Sequence, residues 1–268
     1  MTEKSKAKES GSRKKHYTAP ALEKGLDLLE LLSNEVNGLN IGEITRRLDK
    51  SVGELFRMLA VLEQRGYIEL PAGSDKYRLT IKMFSLSNRF PPIKRLTSLA
   101  NPIMQSLSYT IEQSCHLVIY YEGKGHVVVQ QDSPSTRIFS VRLGAEAPLM
   151  NTCSGHLLLA FSNKEKREMM LNRIPENHPR PNKRGLNAIL KQVVEQGFEN
   201  ITSAQAQGVQ DIGYPVFDDT GQIVAALVVP FIGFLDGSRS VDTDLAHVKI
   251  KLAAEEMSRL LGYESESI

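Results

Sequence analysis

Two helix-start signals about ten residues apart constrain this chain more than any other feature. Asn40 and Glu43 form the first signal, and Ser51 and Glu54 form the second. In each pair a short polar side chain precedes a carboxylate by three residues, and at this spacing both can bind backbone groups at a helix start. The sequence therefore predicts two helices separated by a short polar turn, which is the pattern of a helix-turn-helix.

The second of these helices has an apolar face and an outward face. Four apolar residues recur at intervals of three and four and are expected to face a core: Val52, Leu55, Leu59 and Leu62. The same periodicity turns Gly53, Glu54 and Arg57 outward, together with part of Phe56. An outward face that carries an arginine could enter a groove of DNA.

The flanking segments complete a winged helix. A run with leucines at helical spacing over residues 20–34 precedes the two helices. After them, residues 67–70 and 76–80 are predicted to form a hairpin around a turn at residues 71–75. Three helices and a hairpin predict a winged helix-turn-helix domain over residues 17–82. Residues 1–16 are rich in Lys, Ser and Glu without apolar periodicity, so a disordered basic arm is expected there.

Positive charge is concentrated in this part of the chain. The formal net charge is only +2, but residues 1–95 contain 18 Lys and Arg against 12 Asp and Glu, and the remainder contains 15 against 19. Phosphate binding requires such a local excess. A basic tail beside a solvated helix face would give the same counts.

The candidate DNA-binding residues surround the predicted turn and the hairpin. Arg57 is the expected base reader, because a guanidinium can form paired hydrogen bonds with guanine. The other basic residues are expected to bind phosphates, although each could equally be solvated. Glu54 could read cytosine or cap its helix together with Ser51, and capping is favoured. The candidates are Arg46, Arg47, Lys50, Ser51, Gly53, Glu54, Phe56, Arg57, Lys76 and Arg78.

The rest of the chain predicts a second domain that is joined by a helix. Residues 83–100 are interpreted as a linker helix, whose apolar residues suit either a second subunit or their own domain. Hairpins are predicted within residues 116–131 and 212–230, with helices between them and a last helix over about residues 242–261. This order favours an α+β domain with a central antiparallel sheet over residues 101–263.

Composition narrows the class of protein. With 268 residues, 41% of them hydrophobic and 24% charged, the chain is long enough for two globular domains. No apolar run approaches about 18 residues and none follows the basic N-terminus, so neither a membrane span nor a secretory signal is expected. Two cysteines are too few for a disulfide framework. A cytoplasmic protein is expected, without cofactor or metal, because no phosphate-binding loop or ligand spacing occurs.

A second candidate site lies in the predicted second domain. Residues 144–145 are Gly and Ala and permit close backbone approach, and a helix start near Thr152 offers free amides and a positive dipole end. A carboxylate ligand would suit that helix start. The Thr152 and Ser154 hydroxyls could add hydrogen bonds, while Met150, Ile212 and Tyr214 could form an apolar wall. Ordinary capping and core packing would place the same residue types here.

Three blocks of sequence, in this order, resemble the IclR family of bacterial transcriptional regulators. RMLAVLEQRGYIEL followed by YRLTIKMFSLS is similar to the end of the family's recognition helix, its wing and the start of its linker. LGAEAPLMNTCSGHLLLAF resembles its effector-pocket loop and helix, and GVQDIGYPVFDDTGQIVAALVV its final hairpin. The resemblance spans about residues 17–263. It implies a GAF-like effector domain, a homodimer or homotetramer, and control of a promoter by a small metabolite.

The sequence departs from the family's pattern at both sites. Gly53-Glu54 stand where relatives often have Ser-Thr, and Phe56 where they often have Tyr or His. Asp211 replaces the usual cysteine of the last hairpin, and residues 201–203 replace an acidic cluster, so the ligand's identity does not carry over. The candidate effector-binding residues are Gly144, Ala145, Leu149, Met150, Thr152, Cys153, Ser154, Asp211 and Tyr214.

The sequence thus predicts a ligand-responsive, DNA-binding transcriptional regulator, expected to be a repressor and not an enzyme. The effector is expected to be a small organic acid, because a helix start favours anions. One alternative is a catalytic GAF-like domain, with Cys153 and His156 as nucleophile and base, beside an N-terminal protein-interaction module. In another, the winged helix binds protein. The expected partners are operator DNA, the effector and further copies of the chain, with no membrane.

Overall fold

The structure is a computed structural model that describes residues 18–87, 89, 91–175, 183–234 and 241–264. The predicted basic arm lies outside the described residues. The chain separates into two compact units that divide between residues 90 and 91. Within the described part of the chain, none of the helices combines the length and apolar character needed to cross a bilayer.

The first unit is a winged helix-turn-helix. Its elements are α1 (Pro20–Ser33), β1 (Leu39–Asn40), α2 (Ile41–Leu48), α3 (Val52–Gln64), β2 (Ile68–Glu69), β3 (Lys76–Leu79) and α4 (Lys82–Ser87). The strands form an antiparallel sheet in the order β1-β3-β2. The helix starts and the hairpin therefore lie where the sequence predicts them.

Leucine and isoleucine side chains from α1, α2, α3, β1 and β2 form the core of this unit. Leu55 and Leu59 are completely buried, as their spacing predicts, and Leu62 is half-buried. Val52 departs from the prediction, because half of its side chain is exposed. It occupies the first position of α3, one turn before Leu55, the first buried residue of the helix.

The second unit is an α+β domain with a six-stranded sheet. Its elements are α5 (Pro91–Ile111), β4 (Cys115–Tyr121), β5 (Lys124–Gln131), β6 (Glu146–Pro148), α6 (Cys153–Ala160), α7 (Lys164–Asn172), α8 (Lys183–Gln196), β7 (Glu199–Thr202), β8 (Gln210–Phe217), β9 (Ile223–Phe231) and α9 (Thr243–Leu261). All neighbouring strands are antiparallel, in the order β6-β5-β4-β9-β8-β7. The predicted hairpins are β4–β5 and β8–β9, and their inner strands pair at the centre of the sheet.

Each face of this sheet carries its own helical layer. Residues of α5 and α9 pack on one face, and residues of α6, α7 and α8 pack on the other. Since side chains alternate along a strand, neighbouring residues of β8 belong to different layers. This alternation decides which residues can line a site beneath α6.

The predicted linker helix, residues 83–100, corresponds to parts of two helices. α4 belongs to the first unit and α5 to the second, and the predicted domain boundary at residues 100 and 101 falls inside α5. α5 continues through Pro102, although proline removes one backbone hydrogen bond of the helix. Its buried side chains Leu96, Ala100, Met104 and Leu107 lie on both sides of that proline and hold the helix against the core. Leu96 therefore packs onto its own domain.

Candidate DNA-binding surface and effector site

The outward face of α3 is open to solvent. Arg57 is exposed, and 57% of the Phe56 side chain is accessible. A Cβ atom built on Gly53 would meet nothing within 4 Å, so the first turn of α3 presents bare backbone. A narrow, open helix face with an exposed arginine has the shape that a major groove admits.

The start of α3 is held by the capping interaction that the sequence predicts. One carboxylate oxygen of Glu54 accepts hydrogen bonds from the Ser51 backbone N–H, at 3.0 Å, and from the Ser51 hydroxyl, at 2.9 Å. Its other oxygen accepts from Nζ of Lys24 at 2.7 Å. The Lys24 hydrogen bond, followed by those from Ser51, lowers the pKa of Glu54 to about 2. This arrangement favours capping over the reading of cytosine.

The basic residues of α2 differ in their partners. Arg46 and Lys50 are exposed at the end of the helix. Arg47, also exposed, forms an ion pair with Glu35. Exposed ion pairs contribute little to stability, so a phosphate could replace Glu35 at low cost.

The hairpin carries the two remaining basic candidates. Lys76 is half-buried on β3, and Arg78 is exposed beside it on the same strand. Nε of Arg78 donates to Glu69 of β2 at 2.7 Å. Both cations lie on the wing, where such domains contact the phosphate backbone.

In the second unit, a cavity of about 40 Å³ lies where the start of α6 faces the sheet. Its walls come from the sheet, from α6, and from the segments before β6 and after β7. They are formed by His116, Val127, Phe139, Val141, Glu146, Ala147, Thr152, Cys153, Ser154, Ser203, Gln205, Asp211 and Val228. Ligand pockets usually measure roughly 300–1,000 Å³, so an organic ligand could enter only if half-buried side chains such as Phe139 and Val141 moved apart.

Thr152 caps the start of α6. Its hydroxyl oxygen accepts a hydrogen bond from the Gly155 N–H at 3.1 Å, and the same hydroxyl donates to the Pro148 carbonyl at 2.6 Å. The Ser154 hydroxyl lies 3.4 Å from it. Amides in the first turn of a helix have no partner within the helix, and the dipole makes this end positive. The cavity therefore has one wall that is suited to an anion.

Two glycines let α6 approach its neighbours closely. A Cβ atom on Gly155 would lie 2.4 Å from the Leu149 carbonyl oxygen, and one on Gly213 of β8 would lie 2.6 Å from Sγ of Cys153. Side chains at these positions would collide with backbone and core atoms. The glycines thus fix how near the helix start lies to the sheet.

Asp211 brings a carboxyl group to the cavity. Burial raises its pKa, and a hydrogen bond from the Ser203 hydroxyl opposes that rise. Asp211 neighbours Ile201 of β7 across the sheet. The carboxyl is therefore less readily ionised than an exposed aspartate.

The structure brings together only part of the predicted effector set. Thr152, Cys153, Ser154 and Asp211 line the cavity. In the segment before α6, Glu146 and Ala147 line the cavity, although the sequence did not predict them. The four predicted residues of that segment are not among the lining residues: Gly144, Ala145, Leu149 and Met150.

Tyr214 does not line the cavity, contrary to the prediction. It belongs to the core between the sheet and helices α5 and α9, and its hydroxyl lies 3.1 Å from Nδ1 of His247. Ile212 faces the same layer. Asp211 and Tyr214 are three positions apart on β8, so they point to opposite faces of the sheet.

Sequence reasoning did not assign to the site several residues that line the cavity. His116 on β4 and Val228 on β9 are paired neighbours, and Val127 lies on β5. Alternation along each strand could have placed them on one face, but it could not show which strands are adjacent. Ser203 and Gln205 lie in a connection whose path depends on the tertiary structure.

The arrangement at Cys153 does not favour catalysis. Burial, and then the charges of Glu199 and Asp211, raise the pKa of the Cys153 thiol well above its usual value, whereas a nucleophile needs a lowered one. Both ring nitrogens of His156 are engaged, by Glu199 at 3.1 Å and by the Met150 carbonyl at 3.1 Å. Among the described residues, no cluster of three or more His, Cys, Asp or Glu could hold a metal ion.

Two larger openings occur elsewhere in the second unit. One of about 380 Å³ is lined by Arg95 and Lys166, but both of these cations donate to backbone carbonyls, Lys166 to Ile223 and Arg95 to Leu260 and Leu261. The other, about 490 Å³, is a groove between α5 and α9. The smaller cavity combines the start of α6 with the buried polar side chains of Thr152, Ser154 and His116.

Both units match models of known protein families. The IclR helix-turn-helix domain matches residues 21–71, and the family described as bacterial transcriptional regulator IclR C-terminal matches residues 94–258. The HTH-type transcriptional regulator KdgR of Escherichia coli is 28% identical over 243 residues, which cover 88% of this chain and 90% of KdgR. XynR of the same organism is 25% identical over 91% of this chain and 97% of its own. The HTH-type transcriptional repressor AllR of Salmonella typhimurium is 22% identical over 79% of each chain.

Solved structures share the fold. The Thermotoga maritima IclR superposes with a TM-score of 0.71 at 21% identity, covering 90% of this chain and 98% of that one. An IclR homolog from Microbacterium hydrocarbonoxydans, solved in complex with 4-hydroxybenzoate, gives a TM-score of 0.74 at 19% identity with the same coverage.

Proposed function

Because the chain belongs to the IclR family of bacterial transcriptional regulators, we propose that α3 reads an operator while the cavity at α6 senses a small organic acid. The observation that carries this proposal is the open face of α3, on which Arg57 is exposed. The same chain contains a cavity whose wall includes the start of α6. Effector binding would change operator affinity by favouring one arrangement of the two units.

In the operator complex, Arg57 and Phe56 would lie in the major groove, with Gly53 and Ser51 where the backbone comes close. Arg46, Arg47 and Lys50 would bind phosphates on one side, and Lys76 and Arg78 would do so from the wing. Glu54 would hold the helix start. Binding by this many cations would weaken steeply as salt concentration rises.

At the effector site, the carboxylate would approach the start of α6 beside Thr152 and Ser154. The bound 4-hydroxybenzoate of the Microbacterium homolog supports a carboxylate ligand for the family. Ala145, Leu149 and Met150 would support the walls, since they belong to the same apolar cluster as α6, and Gly144 would allow the turn before β6 at its positive φ of 80°. The predicted repression is supported by the name of the related repressor AllR.

A homo-oligomer would place two winged helices on a pseudo-palindromic operator. The exposed apolar side chains of Leu245, Val248 and Leu252 on α9 support such association. The regulator would act in the cytoplasm, where bacterial DNA lies.

The proposal can be tested with the purified full-length chain. DNA from upstream of its own gene should bind more tightly than a scrambled duplex across a range of salt, and a panel of carboxylates should include one that alters this binding. Fluorescence anisotropy measures both effects. Equal affinity for the two duplexes at every salt concentration would refute the DNA-binding part, and no response to any carboxylate would refute the sensing part.

A further inference from the structure

His116 is a buried histidine with an unsatisfied nitrogen. Its side chain is 7% exposed, and among the described residues no group forms a hydrogen bond with Nδ1. Native proteins rarely bury a polar atom without a partner, because its desolvation is then uncompensated. Because His116 also lines a cavity, a ligand bound in that cavity could supply the missing partner.

His116 lies in the wall of the cavity that faces the start of α6. His116 on β4 pairs with Val228 on β9, and Val228 pairs with Gly213 on β8. Gly213 lies against the start of α6, because a Cβ atom built on it would be 2.6 Å from Sγ of Cys153. Two strand spacings separate His116 from Gly213, so their Cα atoms are about 10 Å apart. A ligand at the start of α6 could therefore reach Nδ1 of His116 with a second group roughly 5–8 Å from its carboxylate.

The ring at this position is uncharged. Burial lowers the pKa of His116 to about 4, so near pH 7 the imidazole has one donor nitrogen and one acceptor nitrogen. A neutral imidazole complements a hydroxyl or carbonyl oxygen. It offers no positive charge to a second carboxylate.

We propose that the effector is a monocarboxylic acid with a second, uncharged oxygen function, and that His116 selects it by a hydrogen bond from or to Nδ1. The carboxylate lies at the start of α6, and the hydroxyl or carbonyl oxygen lies at His116. This proposal rests on the proposed function, because it takes the cavity at α6 as the effector site.

The test uses matched acids that differ by one oxygen. 4-Hydroxybenzoate is compared with benzoate, 4-hydroxybutyrate with butyrate, and succinate serves as a dicarboxylate of similar length. Each is titrated calorimetrically into the full-length chain at pH 7.5. We expect an oxygenated acid to bind at least about tenfold more tightly than its partner, because leaving the buried nitrogen unpaired is costly. Succinate should bind more weakly than 4-hydroxybutyrate.

Substitutions assign this preference to His116. His116→Phe keeps a planar ring without nitrogen and should reduce the preference to within about twofold, whereas His116→Asn keeps a neutral polar group and should retain part of it. The matched control is His126→Phe on the neighbouring strand β5, because His126 packs against Tyr121 and does not line the cavity. If His116→Phe does not fold by circular dichroism, His116→Asn and His116→Leu provide the comparison.

The outcomes separate this proposal from the one on which it rests. Equal binding of both members of each pair, or an unchanged preference without the imidazole, overturns the selection by His116. If such acids still alter operator binding, the proposed function stands alone. If no acid in the panel binds, this proposal and the sensing part of the proposed function both fail, whereas the DNA-binding part keeps its own test.

Discussion

The proposed reading of bases depends most on the side chain of Arg57. Replacing it with alanine should weaken operator binding by about 10- to 100-fold, because a paired contact with guanine contributes roughly 1–3 kcal/mol of discrimination. Anisotropy titrations with operator and scrambled duplexes measure the loss and whether specificity falls with it. Arg65→Ala removes the same charge from the far end of α3, where Arg65 is exposed. Equal losses in the two variants would contradict base reading by Arg57.

His116 should link stability to pH. Its pKa falls from 6.5 to about 4 through burial, so between these values the unfolded chain binds more protons and stability decreases as the pH falls. The linkage contributes about 2 kcal/mol between pH 7 and pH 5. Urea unfolding at both pH values should show this loss in the wild type and a smaller one in His116→Phe. The same pH dependence in both chains would contradict a neutral, buried imidazole.

At the scale of elements, the close approach of α6 to the Leu149 backbone depends on Gly155. Gly155→Ala should destabilise the second unit by about 1–3 kcal/mol, because its methyl group would meet the Leu149 backbone, which cannot rotate away. The control is Gly185→Ala in α8, where the added Cβ meets nothing within 4 Å and should stabilise by up to roughly 1 kcal/mol. Urea unfolding compares the two. Equal changes in the free energy of unfolding of the two variants would mean that α6 does not lie this close to the Leu149 backbone.

The elements that the sequence predicts are those with local signals. Capping pairs predict the starts of α2 and α3, and alternating strands around a polar turn predict the central hairpins. β6 and β7, at three and four residues, are too short to show a period, and they form only because longer strands offer their edges. α5 continues through Pro102 because tertiary packing outweighs one lost backbone bond.

At the scale of the whole molecule, α9 presents an apolar face to solvent. Leu245, Val248 and Leu252 are about half-exposed at helical spacing, beside the groove between α5 and α9. We expect another copy of the chain to cover this face, so Leu252→Glu should lower the mass measured by light scattering after size exclusion. Lys251→Glu, at an exposed neighbouring position, should leave the mass unchanged. An unchanged mass in Leu252→Glu would place association elsewhere.

The sequence by itself determined the winged helix and the outward position of Arg57, because helix periodicity and capping act over three or four residues. It also predicted a binding wall at the start of α6. Only the tertiary structure decided which residues face that wall. Pairing of β4 with β9, and of β9 with β8, brings His116 and Asp211 to one cavity, while strand alternation sends Tyr214 to the opposite face. Local sequence does not predict the order of the strands, because that order is fixed by contacts between residues about one hundred positions apart.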